Sequence, residues 1–151
     1  MFKIESEPLD LAALRGEVLD ASCGAIVNFE GLVRNHNEGR EVTSLEYDAH
    51  PTLALKEGQR VMEEGLKKFN VTKVVASHRV GHLAIGDIAV AVYVSSSHRR
   101  DAFAACRWLI DEIKTRVPVW KREHFTDGTP EWLDVCPGCQ HGQEHGQEHG
   151  E

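Results

Sequence analysis

The chain has little of what marks membrane, secreted or nucleic-acid-binding proteins. No stretch of its 151 residues approaches the roughly 18 unbroken apolar residues of a membrane helix. The N-terminus reads Met-Phe-Lys-Ile-Glu-Ser-Glu-Pro, which lacks the apolar core of a signal peptide. The formal charge of −7 leaves no basic excess with which to bind nucleic acid in general. We therefore expect a cytosolic (cytoplasmic) protein without membrane or nucleic-acid partners.

Cysteine is also scarce, with four residues in the chain. Cys23 and Cys106 fall in apolar periodic segments, where a thiol behaves as a small buried hydrophobe, and a disulfide framework is not expected. With 41% apolar residues, the chain is long enough for one well-formed core and too short for two comfortable domains.

The composition changes abruptly near the C-terminus. Residues 136–151 repeat glycine, glutamine, glutamate and histidine, with no apolar residue after Cys139, so they cannot pack a core. We predict one domain over residues 1–135 and a disordered tail over residues 136–151. The tail contains a single CxxC pair, which is a weak indication of a specific metal site. The alternative is adventitious metal binding by a disordered segment. The weak candidate ligands for zinc, copper or nickel are Cys136, Cys139, His141, His145 and His149.

Hydrophobic periodicity predicts a mixture of strands and helices. Gly31 lies inside a β-rich run and predicts a bulge or a close backbone approach. The segment 81–87, with two glycines, is predicted to be a connection, and Ser95-Ser96-Ser97 to cap the last helix. The predicted helices are 10–19, 51–69 and 98–117, and the predicted strands are 23–34, 42–49, 72–80 and 88–94.

Two lysines bracket the predicted end of the last helix. Lys114 lies in the final turn, Pro118 must end the helix, and Lys121 follows beside Arg122. A lysine crowded by other cations loses stability in its protonated form, which makes a neutral amine available as base or nucleophile. The alternative is a solvated basic helix end that suits the negative pole of the helix dipole.

Two further groups of residues invite a functional interpretation. His98, Arg99 and Arg100 stand in the first turn of the last helix, where backbone N–H groups and arginines together favour a phosphate or carboxylate. Alternatively, Asp101 and solvent balance the positive charge of these three residues, and no ligand is needed. His78 in a predicted strand is either a ligand or a hydrogen-bonded core residue.

Three motifs in order resemble the large, catalytic subunit of molybdopterin synthase. The resemblance runs from about Cys23 to Trp132 and includes Arg79-Val-Gly-His-Leu-Ala-Ile-Gly-Asp87, whereas the Cys/His tail departs from the family pattern. The motifs are Phe29-Glu-Gly-Leu-Val-Arg34-Asn-His-Asn, Ser97-His98-Arg99 and Lys114-Thr-Arg-Val-Pro-Val-Trp-Lys121-Arg122-Glu123.

The resemblance implies a fold, a reaction and partners. The fold is a single α+β domain with a mixed sheet, packed helices and a β-hammerhead element. The large subunits form a homodimer, and each binds a small ubiquitin-like subunit, giving a heterotetramer. The C-terminal Gly-Gly thiocarboxylate of the small subunit supplies sulfur, and cyclic pyranopterin monophosphate receives two sulfurs to form the dithiolene of molybdopterin. No cofactor is implied.

The same resemblance assigns the site residues. Lys114 and Lys121 carry over as catalytic lysines, and the sequence does not separate acid/base, covalent and thiocarboxylate-orienting work between them. The residues that carry over for substrate binding are Arg34, His98, Arg99, Lys114, Lys121, Arg122 and Glu123.

Helix geometry makes this assignment incomplete for one chain. On a continuous helix His98 and Lys114 lie roughly 24 Å apart, which one small pterin does not span. Either the helix breaks, or each pocket combines residues of two subunits, which we favour. The rival functions are a non-catalytic phosphate sensor and a metal carrier built on the tail.

Overall fold

A computed structural model describes residues 1–126 and 130–134 of the chain, with side chains described for residues 1–126. The helices in this part are α1 (Leu11–Val18), α2 (Leu53–Lys68) and α3 (Arg99–Arg116). The strands are β1 (Phe2–Glu5), β2 (Ala25–Leu32), β3 (His36–Asn37), β4 (Arg40–Ala49), β5 (Lys73–Arg79), β6 (Gly81–Ala84), β7 (Ile88–Ser96), β8 (Val119–Phe125) and β9 (Pro130–Asp134).

The larger sheet has the strand order β1-β5-β7-β2 and is mixed, because β1 pairs with β5 in parallel and the other pairs are antiparallel. Alternate residues of β7 face opposite sides. Val92 belongs to the core under α2 and α3, and Tyr93 belongs to the core under α1. The prediction of a strand that is apolar on both faces is confirmed, and helices cover both sides of this sheet.

The helix starts differ in their capping. Asp10 caps α1 as predicted, since its Oδ1 accepts from the N–H of Ala13 at 3.1 Å. α2 begins at Leu53, two residues beyond the predicted start at Pro51, and Nδ1 of His50 accepts from the N–H groups of Thr52 and Leu53. A histidine side chain therefore supplies the cap at α2.

α3 runs without a break from Arg99 to Arg116. The predicted serine cap is wrong, because Ser95 and Ser96 are buried in β7 and the N-cap residue is His98, which makes no side-chain capping bond. The hydroxyl of Ser96 donates instead to the carbonyl of His98. The continuity of α3 excludes the broken-helix alternative for this chain.

The smaller sheet has the order β3-β4-β8-β9, with β6 also paired to β4. The prediction of a plain connection over 81–87 is wrong, because Gly81–Ala84 is strand β6 and buried Leu83 stands opposite Leu45 of β4. Four residues with one buried side chain are too few for an alternating hydrophobic pattern to be recognised in the sequence.

Gly31 shows both predicted features. The β2–β7 register shifts between Gly31 and Leu32, and a Cβ at Gly31 would lie 2.7 Å from Cγ1 of Val90. The bend carries the chain out of the larger sheet toward β3 and β4, and so connects the two sheets beside the cavity described below.

The predicted α+β class is confirmed, and Cys106 is a buried core thiol whose pKa burial raises to about 11. Cys23 is only half-buried, contrary to expectation. Within the described ranges, no helix has both the length and the apolar character needed to cross a membrane. The cytosolic location stays a prediction. The predicted domain boundary, the disordered tail over 136–151 and its metal ligands Cys136, Cys139, His141, His145 and His149 lie outside the described residues.

Candidate active site

A cavity of about 680 Å³ opens where the two sheets meet the C-terminal end of α3. Strands β2, β4, β5, β7 and β8 supply most of its wall, and α3 supplies Ile110, Ile113 and Lys114. The wall combines apolar side chains with charged ones of both signs. The charged residues that line it are Glu30, Arg34, Lys114, Lys121 and Glu123.

Strand alternation turns Lys121 and Glu123 toward this cavity. They share a face of β8 with buried Val119 and Phe125, so the side chains project into the interior of the fold. Nζ of Lys121 lies 3.1 Å from Oε1 of Glu123, and the Glu123 side chain is 3% exposed. A buried carboxylate must be paired, and the lysine ammonium provides that pairing.

Asn37 completes the environment of Glu123. Its Nδ2 donates to both carboxylate oxygens at 3.1 Å, and its Oδ1 accepts from Nη2 of Arg34 at 3.4 Å. Arg34, Asn37, Glu123 and Lys121 therefore form one chain of polar contacts along the cavity wall. The turn after β3 makes this possible, because Glu38 and Gly39 both have positive φ and return the chain tightly into β4.

His78 lies deeper in the cavity wall. Its Nδ1 donates to the carbonyl of Arg79 at 2.8 Å, which leaves Nε2 as an acceptor. Burial, and to a lesser degree the positive charge of Lys114, lowers the pKa of His78 to about 4. The ring is neutral at physiological pH. The prediction of a hydrogen-bonded buried residue is confirmed, and the alternative that His78 binds a ligand stays a prediction, although the residue lines the cavity.

Tyr47 packs edge-on against His78, with ring centroids 5.0 Å apart. Burial and then the charge of Glu123 raise the pKa of Tyr47 to about 12. The hydroxyl therefore keeps its proton at physiological pH and is a hydrogen-bond donor in the wall. Together with the lysines and Arg34, it gives the cavity the donors that an anionic ligand requires.

The structure brings some predicted residues together and separates others. Arg34, Lys114, Lys121 and Glu123 line the cavity, whereas Arg122 projects from the opposite face of β8. His98 and Arg99 do not line it either. Arg99 and Lys114 are fifteen positions apart on α3, a distance of about 22 Å along the axis.

Three residues of the site were not predicted as site residues. Asn37 was named only as the last residue of the first motif and Tyr47 lay only within the predicted strand 42–49, while His78 was left open between a ligand and a core residue. The pairing of Tyr47 with Lys121 across β4 and β8 depends on strand register, which the local pattern does not specify. The glycine at position 39 was the available sequence signal for a tight hairpin beside Asn37.

Comparisons with known proteins agree with the resemblance. A family model described as MoaE protein matches residues 4–116. The molybdopterin synthase catalytic subunit of Pyrococcus abyssi is 45% identical over 117 residues, which are 78% of each chain. The crystal structure of molybdopterin synthase from Staphylococcus aureus has a TM-score of 0.83 and 37% identity, covering 87% of this chain and 96% of that one.

A more distant structure shares the fold alone. It is a complex of subunits 1 and 2 of molybdopterin-converting factor from Helicobacter pylori, with 20% identity and a TM-score of 0.72. The match covers 87% of this chain and 89% of that chain.

Proposed function

The chain belongs to the family of molybdopterin synthase catalytic subunits, and on that premise we propose that the cavity beside Lys114 and Lys121 is its sulfur-transfer site. The protein is a sulfurtransferase of molybdenum cofactor biosynthesis. Its substrate in this proposal is cyclic pyranopterin monophosphate, which receives two sulfurs and becomes molybdopterin.

The sulfur comes from a small ubiquitin-like partner with a C-terminal Gly-Gly thiocarboxylate. In each transfer the thiocarboxylate sulfur forms a carbon–sulfur bond on the substrate and displaces an oxygen, which leaves as water or as the freed oxygen of the opened cyclic phosphate. Water then cleaves the acyl carbon–sulfur bond, so that the sulfur stays on the substrate and the partner's C-terminus becomes a carboxylate. Opening the cyclic phosphate and replacing oxygen by sulfur both require proton transfers and stabilisation of negative charge. The cavity supplies those functions through its lysines, Arg34 and the protonated Tyr47.

One observation carries the assignment of residues: distant segments of the chain converge on one cavity with complementary charges. Arg34 follows β2, Lys114 ends α3, and Lys121 and Glu123 lie on β8. We assign acid/base or covalent work to Lys121, whose ammonium group Glu123 holds in place. Lys114, which is exposed at the rim, does acid/base work or orients the incoming thiocarboxylate.

The phosphate end of the substrate needs the other predicted residues. His98 and Arg99 are about 22 to 24 Å from Lys114 on the unbroken α3, so one chain does not bring the two ends together. In a two-fold homodimer with antiparallel α3 helices, the start of one helix approaches the end of the other, and this occurs twice. We therefore assign His98 and Arg99 to the cavity of the second copy.

Substitution of Lys121 separates this enzyme from a phosphate sensor with the same cavity. Lys121→Ala should reduce molybdopterin formation by at least about 100-fold, the lower range for loss of a general acid or base. Binding of the cyclic precursor should stay within about tenfold of the unsubstituted protein, because one charged contact of several is lost.

The matched control is Lys56→Ala, which removes an exposed lysine of α2 outside the cavity. It should change neither turnover nor binding. Turnover would be measured with the thiocarboxylated partner and binding by calorimetry. Equal losses of turnover and affinity in Lys121→Ala would favour a binding role over catalysis.

A further inference from the structure

A second cluster of ligand-type side chains lies on the outer face of the smaller sheet. Glu46 of β4, His82 of β6 and His124 of β8 each offer one donor atom, and these atoms all lie within 4.8 Å of one another. Nε2 of His124 is 2.9 Å from Oε1 of Glu46, and Nδ1 of His82 is 3.9 Å from the same oxygen. The sulfur-transfer assignment makes no use of them.

Strand alternation explains why these three side chains share the outer face. Their chain neighbours Leu45, Leu83 and Phe125 are buried together in the core of the smaller sheet. The register then brings the three together, because His82 stands directly opposite Glu46 and His124 stands opposite Ser44, one diagonal step away. The cluster is thus built on three paired strands of a rigid element.

The spacing of the donor atoms suits a first-row transition metal. Nitrogen and oxygen ligands bind Zn²⁺ at about 2.0–2.1 Å, which places tetrahedral ligand atoms about 3.3 Å apart. The two measured separations of 2.9 Å and 3.9 Å lie on either side of that value. The His82 side chain is 64% exposed, so its ring is able to rotate toward the other two donors.

We propose that Glu46, His82 and His124 bind a divalent transition metal of the zinc class, with water in the remaining coordination position. Two imidazoles and one carboxylate are a common ligand set for such metals, and an exposed face leaves room for the water. The metal takes the place of the proton between His124 and Glu46. It also links β4, β6 and β8, whose other faces carry Leu45, Leu83 and the cavity residues Tyr47 and Lys121.

The charges around the cluster set a limit on affinity. Arg122 stands opposite Glu46 in the β4–β8 register, on the same face, and repels a dication. Glu46 supplies the single negative charge among the three ligands. We therefore expect binding that is weaker than in a cysteine-rich structural site.

Cobalt(II) is the probe of choice, because its visible spectrum separates nitrogen and oxygen ligands from thiolates. The full-length chain should bind one Co²⁺ with a spectrum that lacks thiolate charge transfer. His82→Ala and Glu46→Gln should each weaken Co²⁺ binding by about 100-fold. Removing a residue that only orients a metal ligand costs about 10- to 100-fold in affinity, and these two residues are ligands themselves. His82 is exposed, so its substitution should leave the fold intact, which circular dichroism would check.

The control is the double substitution Cys136→Ser with Cys139→Ser, which should leave the same Co²⁺ spectrum and affinity in place. Three results would overturn the proposal. These are a spectrum that depends on the cysteine pair alone, Co²⁺ binding that His82→Ala and Glu46→Gln change by less than tenfold, and no Co²⁺ binding at all.

Discussion

His78 is a buried residue that also lines the candidate site. Its ring is buried, its Nδ1 is fixed by the Arg79 carbonyl, and it packs against Tyr47 in the cavity wall. Placing a charged imidazole there is costly because the ring is buried and Lys114 is close. The residue therefore stays neutral in the folded protein over a wide range of pH.

This neutrality predicts a specific pH dependence of stability. The pKa of His78 is about 4 in the folded protein and about 6.5 when unfolded, so between these values the unfolded state binds more protons. Stability should fall as pH drops through this window, by up to about 3 kcal/mol from this residue. His78→Gln should remove that part of the loss.

Urea unfolding of both proteins at several pH values between about 4 and 7.5 measures the effect. The stability of the unsubstituted protein relative to His78→Gln should decline toward acid. If the free energies of unfolding of the two proteins change with pH in parallel, His78 does not cause the loss of stability in acid.

At the residue level, the resemblance identified charged residues that meet in the cavity, such as Lys121 and Glu123. It did not assign a role to Asn37. This residue lies in the two-residue strand β3, and its side chain donates to both carboxylate oxygens of Glu123. The resemblance also did not separate Arg122 from its neighbours, although strand alternation turns that side chain to the opposite face. Contacts that depend on register and on tight turns need three-dimensional information.

At the level of elements, the helices were predicted to within two residues, whereas β1, β3, β6, β8 and β9 were not predicted. β8 is instructive because its inward face carries Lys121 and Glu123 between Val119 and Phe125. Charged residues on a buried face disrupt the alternation by which a strand is recognised. The local rule fails at β8 because that face lines the site.

Packing between elements depends on small residues in α2. A Cβ at Gly58 would lie 2.0 Å from Cδ1 of Phe2 in β1, so β1 is able to pack on α2 only while residue 58 is glycine. Gly58→Ala should destabilise the protein by about 1–3 kcal/mol, because the Phe2 ring has to move. β1 pairs with β5, the strand that carries His78.

Gly16→Ala is the matched control, since Gly16 also lies in a helix but a Cβ there would have nothing within 4 Å. It should be neutral or stabilising by up to about 1 kcal/mol, because alanine favours helix. Thermal and urea unfolding of both variants would test the difference. Similar stabilities for the two variants would show that β1 does not depend on Gly58.

At the level of the whole molecule, the proposed site extends beyond one chain. The cavity holds the lysines, and the predicted phosphate-binding residues stand at the far end of the same helix. The length of that helix could be predicted from the sequence, and it places Arg99 and Lys114 too far apart for one small substrate to contact both within one chain. The hydrophobic pattern of one chain does not show which surfaces two copies would use to form a dimer.

The most direct test is molybdopterin formation by a mixed dimer. A purified heterodimer of one Lys121→Ala chain and one Arg99→Ala chain has one cavity with both substitutions and one with neither. With thiocarboxylated partner and cyclic precursor, it should form product at about half the rate of the unsubstituted dimer, while each parent homodimer is inactive. A heterodimer as inactive as its parents would contradict a cavity completed by the second copy.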